Sequence, residues 1–131
     1  MSYNINIVNS TKDNNYFRQV MFTGAKSQLV VMDIKPGEDI GAETHAHVEQ
    51  ILFFSSGEGR AILDGVESQV VAGDVYIVSP GTNHNFINTG TEPLKVYTVY
   101  VPPNHIDGIV HETKTAATAD QADEDFGHQV E

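Results

Sequence analysis

From Tyr16 to Val101 the chain is a succession of short apolar runs cut by turn signals, and this punctuation limits the fold more than any other feature. YFRQVMFT and SQLVVMDIK are separated by GAK, QILFFSS runs into GEG, RAILD meets a D-G pair, and VYIVS stops at PGTN. HNFIN and LKVYTVYV follow, closed by TGTEP and PPNH. Turn residues recur about every eight to twelve positions and no segment carries a convincing helical period, a pattern that predicts an all-β sandwich or small barrel. The Asp-Gly pair suits a two-residue hairpin turn. LVVM, ILFF and VYIV are apolar at consecutive positions, so these strands are expected to be buried on both faces, by a second sheet or by a partner chain.

At 131 residues the chain has the length of one domain with a real core. Eighteen acids against seven basic residues give a formal net charge of -11, which repels nucleic acid and anionic lipid. No apolar run is long enough to span a bilayer. The opening MSYNINIVNSTKDNNYF has neither the basic start nor the apolar centre of a secretory signal, so a cytoplasmic location is the expectation. Cysteine is absent, which excludes disulfides, thiolate metal sites and cysteine nucleophiles together. The acidity is uneven: HETKTAATADQADEDFGHQVE, after Val110, holds six acids and one lysine with almost no large apolar residue. Residues 1–111 are therefore read as the β-barrel domain and 112–131 as an acidic tail, surface-bound or disordered, in which ATADQADEDF could form a short helix anchored by Phe126.

The chemistry-bearing residues concentrate at two places. H-A-H-V-E-Q, from His45 to Gln50, holds two histidines one residue apart, which an extended strand would project from one face. His84 opens HNFIN after the PGTN turn, so His84, Phe86 and Asn88 should share a face. If the two strands face each other, three imidazoles converge, a donor set that suits zinc, copper, iron, cobalt, nickel or manganese without selecting among them. The bland alternative leaves His45 and His47 as exposed strand residues and His84 as a turn residue, and the His-x-His pair alone does not decide between the two.

GAETHAHVEQILFFSSG and, from Gly73 to Asn88, GDVYIVSPGTNHNFIN resemble the two motifs of the cupin superfamily, in order and at the expected separation, within residues 30 to 101. The resemblance implies a double-stranded β-helix, a small barrel with a divalent transition metal inside one end and His45, His47 and His84 among its usual four protein ligands. It also implies pairing into a homodimer, in line with apolar strands that few helices could cover. The chain departs from the pattern at the fourth ligand, normally glutamate. Counting back from Gly57 puts that position on Gln50, whereas Glu49 shares the strand parity of His47 and is the alternative; a bulge would reconcile the counts. Three imidazoles and a carboxamide leave the ion its full charge, which favours anionic oxygen ligands.

Other residues have weaker assignments. Glu43 shares parity with His45 and is read as a rim carboxylate, with an acceptor for a metal-bound histidine's other N–H or a general base as the alternatives. Tyr97 and Tyr100 face opposite ways, so at most one enters the barrel. His105, Asp107 and His111 follow Pro102-Pro103 in a loop expected to pack against the surface. Arg18, Lys35 and Arg60 are not placed together by anything in the sequence, which counts against a phosphosugar substrate. The functional expectation is a metal-binding protein of a small, anionic or oxygen-donor molecule, either an enzyme (an oxygenase, isomerase or lyase) or a non-catalytic binding or sensor protein. No catalytic residue is assigned.

Overall fold

The computed structural model describes residues 2–130. Ten strands run through it: β1 (Arg18–Thr23), β2 (Gln28–Ile34), β3 (Glu43–Thr44), β4 (Glu49–Ser56), β5 (Glu58–Leu63), β6 (Val66–Val71), β7 (Val75–Val78), β8 (Asn83–Asn88), β9 (Leu94–Val101) and β10 (Val110–His111). They form a six-stranded sheet in the order β10-β1-β2-β9-β4-β7 and a four-stranded sheet in the order β3-β8-β5-β6. The strands pair antiparallel throughout the described residues, and the inner faces of the two sheets meet in one apolar core, as in a small jelly-roll barrel.

The alternation of side chains decides what enters the barrel. On β4 it turns Gln50, Leu52 and Phe54 inward, and on β9 Leu94, Val96, Thr98 and Tyr100, all of them buried. On β8 it turns His84, Phe86 and Asn88 inward. Phe54 and Phe86 meet across the sheets with ring centroids 5.3 Å apart, and Tyr76 packs edge-on against both. Each such ring contributes about 1.5–3 kcal/mol by leaving water. Tyr97, by contrast, stacks on Phe53 outside the barrel at 4.9 Å. Gly57 ends the apolar run at φ +89°, where a Cβ would stand 2.5 Å from the Pro93 carbonyl, so only glycine lets β4 turn there.

Within one chain, burial on both faces holds for β2, where Val30, Val31 and Met32 are all inaccessible; β4 alternates and β7 leaves Ile77 61% and Val75 51% exposed, so on these two strands only a partner chain would supply the second cover. One expectation of the fold needs correction: the region before β1 is not helix-free. Helix α1 (Ile7–Asp13) starts at Asn6, whose side chain accepts from the Asn9 amide, and at seven residues it is too short to show a period. It is tied to the outer face of the large sheet by Lys95, whose Nζ donates to the carbonyls of Lys12 and Asn14 at 2.6 and 2.8 Å. Beneath it lies buried Asp33, ion-paired with Lys35 at 3.0 Å.

After β10 the acidic segment forms α2 (Lys114–Ala119) and α3 (Gln121–Val130). Phe126 is only half-buried, whereas Asp123 is buried. What fastens this segment is mainly polar, Asp123 to His105, Asp120 to His111, and Lys114 to Asp39, with Ala117 packed against the apolar core. Among the described residues no helix is long and apolar enough to cross a membrane.

Candidate metal and ligand site

One wall of the site is built by strand register. β3 pairs with β8 so that Glu43 stands opposite His84, and the amide of Gly81, in the turn before β8, donates to the His45 carbonyl at 2.7 Å. The two histidine motifs are thereby fastened to each other through backbone. The rings of His45 and His84 lie 5.3 Å apart at 50°, and Tyr100 stands edge-on to His45 at 6.5 Å. Nδ1 of His84 is 3.0 Å from the Thr82 carbonyl, so in the neutral ring it carries the proton and Nε2 keeps a lone pair. Burial lowers the pKa of His84, which keeps the ring neutral. Oε2 of Glu43 is 2.9 Å from Nε2 of His45. Burial pushes the Glu43 carboxyl up, but its bond to His45 and the charges of His45, Arg18 and His105 together outweigh that and hold it below the usual range.

The predicted ligands are distributed unevenly. His45 and His84 are buried and adjacent, whereas His47 is exposed. The reason is local: residues 45–48 lie between β3 and β4, with a bend at Ala46 and His47, so strand alternation does not relate the two histidines. Gln50 is buried on the inner face opposite Tyr100 and Val78, and its Nε2 donates to the Thr98 hydroxyl at 3.1 Å. Glu49 has the opposite parity and is half-buried. Among the described residues no three His, Cys, Asp or Glu side chains stand in a metal-holding arrangement.

A second wall comes from residues given no functional role from the sequence. Arg18 is turned inward on β1, opposite Met32 and His111. Asp120 takes Nε2–H of His111 at 2.9 Å, leaving Nδ1 of that ring as acceptor for an Arg18 N–H at 3.2 Å. His105 is buried, with Nδ1 2.7 Å from Oδ2 of Asp123, while Oδ1 of Asp123 accepts the Ile106 amide at 2.8 Å. Burial pushes Asp123 up, and the opposing hydrogen bond and charge of His105, the Ile106 amide and the Arg18 charge leave it depressed. Burial and the Arg18 charge lower His105. Tyr100, between the walls, is pushed up to about 12 by burial and stays protonated. The loop after Pro103 thus folds into the site rather than merely over the surface, although Asp107 is exposed. Arg18, Glu43, His45, Asn104, His105 and Asp123 line a half-open cavity of about 250 Å³ under α3, with Glu124 at its side. Lys35 and Arg60 lie elsewhere, paired with Asp33 and Glu67.

Residues 30–100 match the cupin domain family. The protein YrkC of Bacillus subtilis (strain 168), described as uncharacterised, is 42% identical over 121 residues, which is 88% of this chain and 65% of that one. The chain therefore spans just under two thirds of that relative's length. A crystal structure of a Bacillus halodurans protein superposes with a TM-score of 0.89 at 38% identity, covering 91% of this chain and 95% of the other. An oxalate-binding protein of Thermotoga maritima is 30% identical over 70 residues, 53% of this chain and 58% of its own.

Proposed function

The chain belongs to the cupin domain family, and from that premise we propose that it binds one divalent transition metal at the His45–His84 end of the barrel and, beside it, a small organic anion. The observation that carries the reading is the state of His84. Its Nδ1 is tied back to the Thr82 carbonyl, the arrangement that metal-binding imidazoles adopt, and its ring stands 5.3 Å from that of His45. His45 and His84 would supply two nitrogen donors. Gln50, on the same inner surface, is the third protein ligand of this reading, and His47 the fourth, which has to turn inward from its bend. Such a set is neutral, so the bound ion would act as a Lewis acid toward an anionic oxygen donor. The oxalate-binding relative supports a small carboxylate as that donor.

Titration of metal-free protein with manganese or zinc tests the proposal. Wild type should take up one equivalent, and His84→Ala should lose it. Gln50→Glu should tighten binding, because a carboxylate adds charge attraction to a neutral set, while Glu49→Gln should leave affinity unchanged. Stoichiometric metal in the His84→Ala protein would sink the reading. His47→Ala separates a four-ligand site from one completed by water, since only the former weakens.

The same reading includes a homodimer. Ile51 and Phe53 on β4, Val75 and Ile77 on β7, and Tyr97 and Val99 on β9 lie in register on the outer face of the large sheet, with Val75 and Ile77 well exposed. A second copy covering this patch would remove it from water. A monomer mass by light scattering at micromolar concentration would contradict it.

A further inference from the structure

The wall opposite His45 and His84 holds hydrogen-bonding capacity that the protein leaves unused. Asp123 is ionised, and an ionised carboxylate only accepts, so the proton of its 2.7 Å bond belongs to Nδ1 of His105. The neutral ring then has a bare lone pair on Nε2, and that atom is buried with no partner. Nε of Arg18 is a buried donor with no partner, and Oδ1 of Asn104 a buried acceptor with none. Buried polar groups are ordinarily satisfied, so three orphans on residues lining one cavity call for an explanation.

Charge narrows the explanation. Arg18 is 7% exposed, and among the described residues no carboxylate stands at ion-pair distance from it. The three carboxylates nearest in the network are each bonded to an imidazole: Glu43 to His45, Asp123 to His105 and Asp120 to His111. Arg18 lies in the field of Glu43 and Asp123 but makes no direct ion pair with either, and a bound carboxylate would give it one, through two parallel N–H bonds. A bare imidazole nitrogen next to it seeks the opposite partner, a donor. One molecule can meet both demands if it carries a carboxylate and a hydroxyl.

We infer that the cavity takes a small hydroxycarboxylate, its carboxylate against Arg18 and its hydroxyl donating to Nε2 of His105. Asp123 is the positioning residue, since it fixes which ring nitrogen is bare. At about 250 Å³ the space suits a molecule of a few carbons. The inference rests on the ligand-binding half of the proposed function and names the ligand's class, but its contacts do not pass through the metal.

Calorimetric titration of malate and of succinate, which lacks only the hydroxyl, into the full chain tests it, both metal-free and with manganese. Malate should bind about tenfold more tightly than succinate, the worth of one hydrogen bond to an otherwise unsatisfied acceptor. His105→Phe should abolish the preference and leave succinate affinity in place, and Arg18→Gln should weaken both acids. Equal affinities for the two acids in wild type, or no binding of either at tens of millimolar, would overturn the inference. Should His105→Phe fail to fold, the ¹⁵N resonance of Nε2 in wild type decides: malate should shift it and succinate should not. Preference for malate in protein that takes up no manganese would sink the metal reading and leave this one standing.

Discussion

The two walls of the site are made in different ways. His84, Glu43 and His45 are placed by ladder register and a backbone bond, and His84 rests against Phe86 with ring centroids 6.3 Å apart. Arg18 is placed by its ladder to Met32 and bonds His111 across 93 positions, whereas His105 and Asp123 are joined by a side-chain bond across 18. The first wall is inseparable from the apolar core. The second is held partly by β1 and by buried Gln28, whose Oε1 accepts the amides of Asn104 and His105, and partly, through Asp123, by a helical segment fastened mainly by polar contacts. One half of the site is thus fixed by ladders and core, and the other leans in part on α3 through Asp123.

The largest effect should come from striking the fixed half. Phe86→Ala removes a fully buried ring between the sheets and should cost about 3–5 kcal/mol in chemical denaturation, with both walls lost together. Asp123→Asn should cost less, about 1–3 kcal/mol, and act on one wall alone. Hydrogen exchange should then accelerate in residues 121–130 and at Ile106 while β8 keeps its protection. Equal acceleration in β8 would show that the walls are not separable.

Acid should divide the molecule similarly. His84 and His105 titrate below the ordinary histidine value of 6.5 when folded, so the unfolded chain takes up protons first as pH falls. The stability they contribute is whole above about that value and declines beneath it. Asp123 is depressed below its ordinary 3.8, so its contribution is whole above that value and lost as pH falls through the folded one. Melting of metal-free protein should therefore decline in two stages, and His105→Gln should shrink the first. The smallest effect is expected at His47→Ala, within about 0.5 kcal/mol of wild type in stability, because that side chain is exposed.

The same contrast explains what could be read from the sequence. His84, Phe86 and Asn88 lie in an uninterrupted strand, where alternation is geometry, and their common inner face follows from spacing alone. Gln50, reached by counting back from Gly57, faces inward because β4 alternates without interruption from Glu49 to Phe54. His47 escaped the same logic because His45 to Val48 is a connection, not a strand. Asp123 escaped it for another reason. An acid in an acidic segment looks like a solvated residue, and only the partner 18 positions earlier makes it a buried one. Arg18 likewise reads as a strand-edge charge until the ladder pairs it with Met32 on the inner side.

The clasp of α1 on Lys95 has a further consequence, for symmetry. It occupies the outer face of the large sheet at the Asp33–Lys95 end, leaving the rows Leu29–Val99–Ile51–Ile77 and Tyr97–Phe53–Val75 as an apolar region continuous to the free edge of β7. Contacts made by this one region on each copy cannot propagate head to tail. Association through that region would match it against itself about a two-fold axis and stop at two copies, a closed assembly without open ends.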